Sequence, residues 1–190
     1  MIDEVLNFND KDKHCHLYLG IDPGWSGAIA SLFSYNGKIT IHKCPESIYA
    51  MTNLVRDLIK DFIMSCKDTK NKKLSTFAII EDIHGRGYGN IGAVEWSAQT
   101  NFRFGMNCGA WEAVLHCNNI RFEKLYPQSW QHRMLGKFPK GKSKETSLAI
   151  AVERHPQIAK QIGKNHNFAD AVNLAELCQN YFNGVQDETK

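Results

Sequence analysis

The sequence predicts an α/β fold: helices against a mixed sheet whose first three strands form an antiparallel meander. Two patterns predict it. The apolar runs come as three short strands, a helix, a strand, a helix, a strand and then helices. Asn36-Gly37 separates the second and third runs, and a two-residue type I′ hairpin needs φ > 0 at both central positions. With 190 residues and 43% hydrophobic content, the chain fits one domain with a sizeable core and excludes a disordered polymer.

Each element has its own signal. Leu17–Asp22 is a short apolar run ended by Pro23-Gly24, and Gly27–Phe33 and Lys38–His42 complete the meander. Ile48–Cys66 carries Met51, Leu54, Val55, Leu58, Ile59 and Phe62 at helical spacing. Phe77–Ile80 is a compact strand ending on Glu81. Residues 84–92 hold Gly85, Gly87, Gly89 and Gly92 and read as a loop. A helix is expected from about Val94 to Cys117, with Gly105, Gly109 and Ala113 as a small-residue face packed on the sheet. Ile120–Leu125 is the fifth strand, and Pro127 turns the chain into a short helix. Ser143 is placed to cap a helix over Lys144–Glu153, and the last helix is expected from about Asn167 to Phe182. Trp96, Trp111 and Trp130 fall on helical patterns as core or interface residues, whereas His132 and His155 are expected at the surface. The domain is thus expected over 17–182, between a polar extension at 1–16 and a polar tail at 183–190.

Charge and cysteines narrow the context. The formal charge is only +3, but residues 121–164 hold ten basic and three acidic residues, so the rest of the chain is net acidic. A local basic segment fits an anionic partner or a solvated face. Residues 1–16 lack an apolar signal core, and no run approaches the roughly 18 apolar residues of a membrane span. Cys15, Cys44, Cys66, Cys108, Cys117 and Cys178 form no CxxC pair, so buried thiols in a reducing, cytoplasmic compartment are expected. His14-Cys15-His16 is read as an incidental cluster.

Three carboxylates stand at element ends: Asp22, Glu81 and Asp170. If the first and fourth strands are neighbours, Asp22 and Glu81 project together, and a helix crossing that edge can add Asp170. Clustered buried carboxylates repel one another and need protons or cations. Hard oxygen donors select Mg²⁺ or Mn²⁺, and two such ions about 4 Å apart suit phosphodiester hydrolysis. Singly, each carboxylate reads as a cap or turn residue; the set of three at successive element ends points to function.

The surrounding motifs resemble the RuvC-type Holliday-junction resolvases, in particular compact phage and bacterial members. The resemblance runs in order through Gly20-Ile21-Asp22-Pro23-Gly24 with Gly27-Ala28-Ile29-Ala30, Ile79-Ile80-Glu81, Phe102-Arg103-Phe104-Gly105, and Gly109-Ala110-Trp111-Glu112. It continues in Pro127-Gln128-Ser129-Trp130, Gly141-Lys142-Ser143-Lys144-Glu145 and Ala169-Asp170-Ala171. It implies an RNase H-like fold with a five-stranded mixed sheet and helices on both faces. It also implies four metal-binding positions, of which Asp22, Glu81 and Asp170 match. The fourth position lacks the family's aspartate; His166 takes it, one helical turn before Asp170, with Asn167 as competitor or helix cap.

The implied activity is cutting of four-way and other branched DNA by two Mg²⁺ ions, with Mn²⁺ as substitute, leaving 5′-phosphate and 3′-hydroxyl ends. Two symmetric cuts call for a homodimer, with the Val94–Cys117 helix as a candidate face. Lys144 resembles a lysine near the scissile phosphate, and Lys137, Lys140 and Lys142 are candidate backbone contacts. Arg86 and Tyr88 in the glycine-rich loop are candidates for holding phosphate and wedging into bases, or belong to an ordinary surface loop. Two rivals remain: a non-cleaving binder of branched DNA on the same fold, and an ATP-binding sugar-kinase or chaperone-like domain. The last needs a second domain and phosphate loop for which 190 residues leave no room. Recombination, repair and phage genome processing are all compatible processes.

Overall fold

A computed structural model describes residues 14–66, 73–82 and 97–187. Five strands, β1 (His14–Asp22), β2 (Ala28–Phe33), β3 (Ile39–Lys43), β4 (Lys73–Glu81) and β5 (Arg121–Leu125), form one sheet in the order β3-β2-β1-β4-β5. β1 pairs antiparallel with β2, and β2 with β3, while β4 and β5 run parallel to β1. This is the expected five-stranded mixed sheet with an antiparallel first half. The helices are α1 (Ile48–Ser65), α2 (Ala98–Cys117), α3 (Pro127–Leu135), α4 (Ser143–Arg154), α5 (Ala159–Ile162) and α6 (His166–Asp187).

β1 is the central strand and is buried on both faces, as its near-continuous apolar run requires. Alternation sends Leu17, Leu19 and Ile21 into a core with α1 and the C-terminal half of α2. Tyr18 faces the opposite core, built with α3, α4 and α6. Helices therefore cover both faces. On α1, Ser47 Oγ accepts from the Ala50 N–H, and Met51, Val55, Leu58 and Phe62 form the buried stripe.

Several local expectations are corrected. The β2–β3 turn is longer than two residues. The Gly37 N–H donates to the Phe33 carbonyl, and the Phe33 N–H to the Lys38 carbonyl. Only Gly37 (φ 66°) is left-handed there, and Asn36 acts through its side chain, accepting from the Lys38 N–H. β1 begins at His14, so His14 and His16 stack in the sheet and His16 is buried. Ser143 is the first residue of α4 and makes no capping bond. Asn165, not Asn167, caps α6, its Oδ1 accepting from the Asn167 and Phe168 N–H groups. His155 is buried beside Glu176, while His132 is exposed. Gly105 and Gly109 do not pack on the sheet: a Cβ at either would meet nothing within 4 Å. The reason is that the buried residues of α2, Trp111, Val114 and Leu115, all lie toward its C-terminal end. Toward its N-terminal end, Phe102 and Met106 are exposed. Cys15, Cys44, Cys66 and Cys178 are buried free thiols, whereas Cys117 is exposed.

Candidate active site

The carboxylates are placed by strand register and by one glycine. Ile21 of β1 pairs with Ile80 of β4, so Asp22 and Glu81 follow side by side at the carboxyl ends of parallel strands. Both point to the α6 side, since neighbouring residues on that face, Tyr18 and Ile79, belong to the α6 core. Gly20 then lets α6 lie directly on β1. A Cβ there would stand 2.2 Å from the Ala171 carbonyl oxygen and 2.2 Å from the Ala175 nitrogen. That close approach brings Asp170, in the second turn of α6, to the end of β1. Asp22, Glu81, Asp170, Lys144, Arg103 and Asn167 line one cavity of about 700 Å³.

Each carboxylate is held by a neutral donor. The Gly24 N–H donates to Asp22 Oδ1 at 3.1 Å. The Trp130 indole N–H donates to Glu81 Oε1 at 2.8 Å. Ser147 Oγ–H donates to Asp170 Oδ1, and the Asn173 amide in turn donates to Ser147 Oγ (2.9 Å) and its carbonyl (3.0 Å). These bonds fix orientation without neutralising charge. Burial accordingly pushes Glu81 up to about 8, with Asp22 adding to the effect, against the Trp130 bond. Burial also pushes Asp22 up to about 6, the Gly24 bond opposing it, Asp170 adding and Lys144 opposing. Asp170 is raised by burial, against Ser147, His166 and Lys144. Such a cluster favours protons or cations. Among the described residues, no group of three or more His, Cys, Asp or Glu side chains is arranged to hold one metal ion. Mg²⁺, however, commonly takes one or two carboxylates and completes its shell with water and phosphate oxygens. The donor set fits such an ion by its chemistry: hard oxygens, buried, with raised proton affinity.

The other expected residues divide. Lys144 is exposed on α4 and lines the cavity. Lys137, Lys140 and Lys142 are exposed but do not line it, and Lys142 pairs with Glu145 at 3.0 Å. Asn167 lines the cavity and its amide donates to the Ser26 carbonyl (2.6 Å) and Oγ (3.0 Å). His166 does not line it, yet its charge acts on Asp170. His166 Nδ1 is buried with no hydrogen-bond partner among the described residues. Arg86, Tyr88 and Trp96 lie outside the described residues.

Sequence reasoning missed four supporting residues. Trp130 is fully buried, as expected of a core residue, but it also orients Glu81. Asn173 carried a usable signal, being the one polar residue in the buried stretch 171–175 of α6. Ser147 carried none. Asn107 donates to the Pro23 carbonyl at 2.9 Å and ties α2 to the loop after Asp22.

No family model matches the sequence, and no curated protein matches it. Among solved structures, the chain is similar to the Thermus thermophilus RuvC structure, with 13% identity and a TM-score of 0.48 over 90% of this chain and 96% of that one. It is also similar to T. thermophilus RuvC in complex with Holliday junction substrate, with 11% identity and a TM-score of 0.47 over the same shares. At such scores neither likeness bears on function. No helix among the described residues is long and apolar enough to cross a membrane.

Proposed function

We propose that this protein is a structure-selective endodeoxyribonuclease that cuts four-way and other branched DNA as a homodimer. The observation that carries the reading is the single cavity lined by Asp22, Glu81 and Asp170 together with the cations Lys144 and Arg103. Acid clusters beside exposed cations suit a phosphodiester, whose charge needs both a cation-binding floor and a positive rim.

Asp22, Glu81 and Asp170 would hold two Mg²⁺ ions, or Mn²⁺ in their place, with His166 or Asn167 completing the set; bound there, the ions supply water activation and charge neutralisation at the leaving oxygen. The chain's own groups do the rest. Trp130 and Ser147 hold the Glu81 and Asp170 carboxylates in one orientation. Lys144 stabilises negative charge developing on the phosphate oxygens. Lys137, Lys140 and Lys142, exposed around the start of α4, would contact the backbone of an arm, with Arg86 and Tyr88 as further candidates. The exposed face of α2, with Phe102 and Met106 flanking the open Gly105 and Gly109, supports a copy–copy contact.

A second reading, a non-cleaving binder of branched DNA, is favoured by the fourth position, where His166 and Asn167 stand in place of an aspartate. Incubation of a synthetic four-way junction with the protein in Mg²⁺ or Mn²⁺ separates the two. Paired nicks across the junction support the nuclease; tight binding with no nick in either metal supports the binder.

A further inference from the structure

The loop between β1 and β2 carries a tryptophan that packing does not explain. Trp25 is 64% exposed and lines the carboxylate cavity, as do Asp22, Lys144 and Arg103. Burying an indole is among the larger apolar gains in folding. Trp111 and Trp130, the other tryptophans among the described residues, are fully buried.

The loop itself is tightly held. The Gly27 N–H donates to the Gly24 carbonyl at 2.8 Å, and a Cβ at Gly27 would stand 2.0 Å from the Asp22 carbonyl oxygen. Asn107 of α2 holds the Pro23 carbonyl, and Asn167 of α6 holds Ser26. Trp25 therefore projects from a backbone tied on both sides to the elements that build the site. An exposed aromatic ring on a tightly held loop, lining one cavity with two cations, matches a nucleic-acid strand: phosphates meet the cations and a base meets the ring.

We propose that Trp25 stacks on an unpaired or unstacked base beside the scissile phosphate and so positions the strand over Asp22. This rests on the proposed nuclease reading. Trp25 is then a substrate-positioning residue. In an unbroken duplex each base face is already stacked on its neighbours, so the contact is available only where stacking is interrupted. A residue of the active-site loop would thus contribute to selection of branched over linear DNA.

The test is a cycle of two proteins and two DNAs. Wild type and Trp25→Ala are titrated onto a four-way junction with intact bases at the branch and onto one with abasic sites there. Fluorescence anisotropy is read with Ca²⁺ in place of Mg²⁺ to slow cutting. Trp25→Ala is expected to weaken binding to the intact junction by about 5- to 100-fold. Trp25→Phe should recover most of that loss, and the two proteins should bind the abasic junction alike. Equal binding of the intact junction by wild type and Trp25→Ala overturns the role of Trp25 alone. A gap that persists on the abasic junction also overturns it. A loss of dimer in Trp25→Ala with unchanged affinity per dimer overturns it too, and gives the indole to a copy–copy contact. If wild type binds no branched DNA, the nuclease reading itself falls, and the role of Trp25 with it.

Discussion

Gly20 of β1 and Ala171 of α6 meet backbone to backbone, with room for no side chain between them: a Cβ on Gly20 would stand 2.2 Å from the Ala171 carbonyl oxygen. Asp22 lies two residues after the first and Asp170 one residue before the second. The contact therefore sets the spacing of the two carboxylates as well as the packing of the core. Gly20→Ala must push α6 off the sheet, and overpacking of this kind costs about 1–3 kcal/mol or more. Thermal unfolding should show a lowered Tm. The stabilisation that Mg²⁺ gives to wild type should shrink in the variant, because Asp170 moves with the helix.

Trp130→Phe keeps the ring in the core and removes the donor to Glu81. Loss of a buried donor to a carboxylate costs about 1–3 kcal/mol. The Glu81 carboxyl, already pushed up to about 8, should rise further. Carboxyl ¹³C NMR titration of Glu81 in the metal-free protein checks the direction; an unchanged or lowered midpoint would contradict it.

The raised carboxyls set a pH dependence with a definite sign. Glu81 goes from its ordinary 4.5 to about 8, and Asp22 from 3.8 to about 6, so the folded state binds more protons than the unfolded state across that window. Their contribution to stability is therefore present at low pH and lost as pH rises from about 4 to 8. Glu81→Gln, which can still accept from Trp130, removes the larger part of it. The metal-free variant should melt above wild type at pH 8 and close to it at pH 4, by roughly 2–4 °C for each kcal/mol. Millimolar Mg²⁺ should raise wild type more than the variant.

His166 and Asn167 should separate by function. Asn167 ties the Ser26 loop to α6, whereas His166 places near Asp170 a buried Nδ1 that has no hydrogen-bond partner among the described residues. His166→Ala should lower Mn²⁺ affinity by about 10-fold or more, by analogy with the loss of a ligand's support. Asn167→Ala should weaken DNA binding and leave Mn²⁺ affinity unchanged. Calorimetric Mn²⁺ titration of both variants checks this, and the reverse pattern would move the fourth position to Asn167.

Much of this architecture was legible in the sequence because its signals are short-range. The apolar run of β1, the α1 stripe from Met51 to Phe62 and Pro127 at the start of α3 each declare an element locally. Asp22 and Glu81 were legible because each ends a strand, and Asp170 because it stands near the start of the last helix, in its second turn. What stayed hidden depends on tertiary distance. Gly105 and Gly109 have helical spacing suited to packing, but nothing in that spacing says which face of α2 is left open. Ser147 looks like any polar residue of an amphipathic helix until α6 places Asp170 against it. The turn at Asn36-Gly37 has the right dipeptide, but the strands end earlier and leave a longer loop. Trp25 looks like one more apolar residue until its exposure is known.

The most direct measurement is cutting of a synthetic mobile four-way junction by wild type and Asp22→Asn, each in Mg²⁺ and in Mn²⁺. Asp22 interacts electrostatically with both Glu81 and Asp170, and Asn keeps its shape while removing its charge. Symmetric paired nicks with 5′-phosphate ends are predicted for wild type, with a loss of about 100-fold or more in Asp22→Asn, the scale of removing a group that stabilises transition-state charge. Equal cutting by the two proteins, or no cutting of any branched DNA by wild type in either metal, would contradict the assignment.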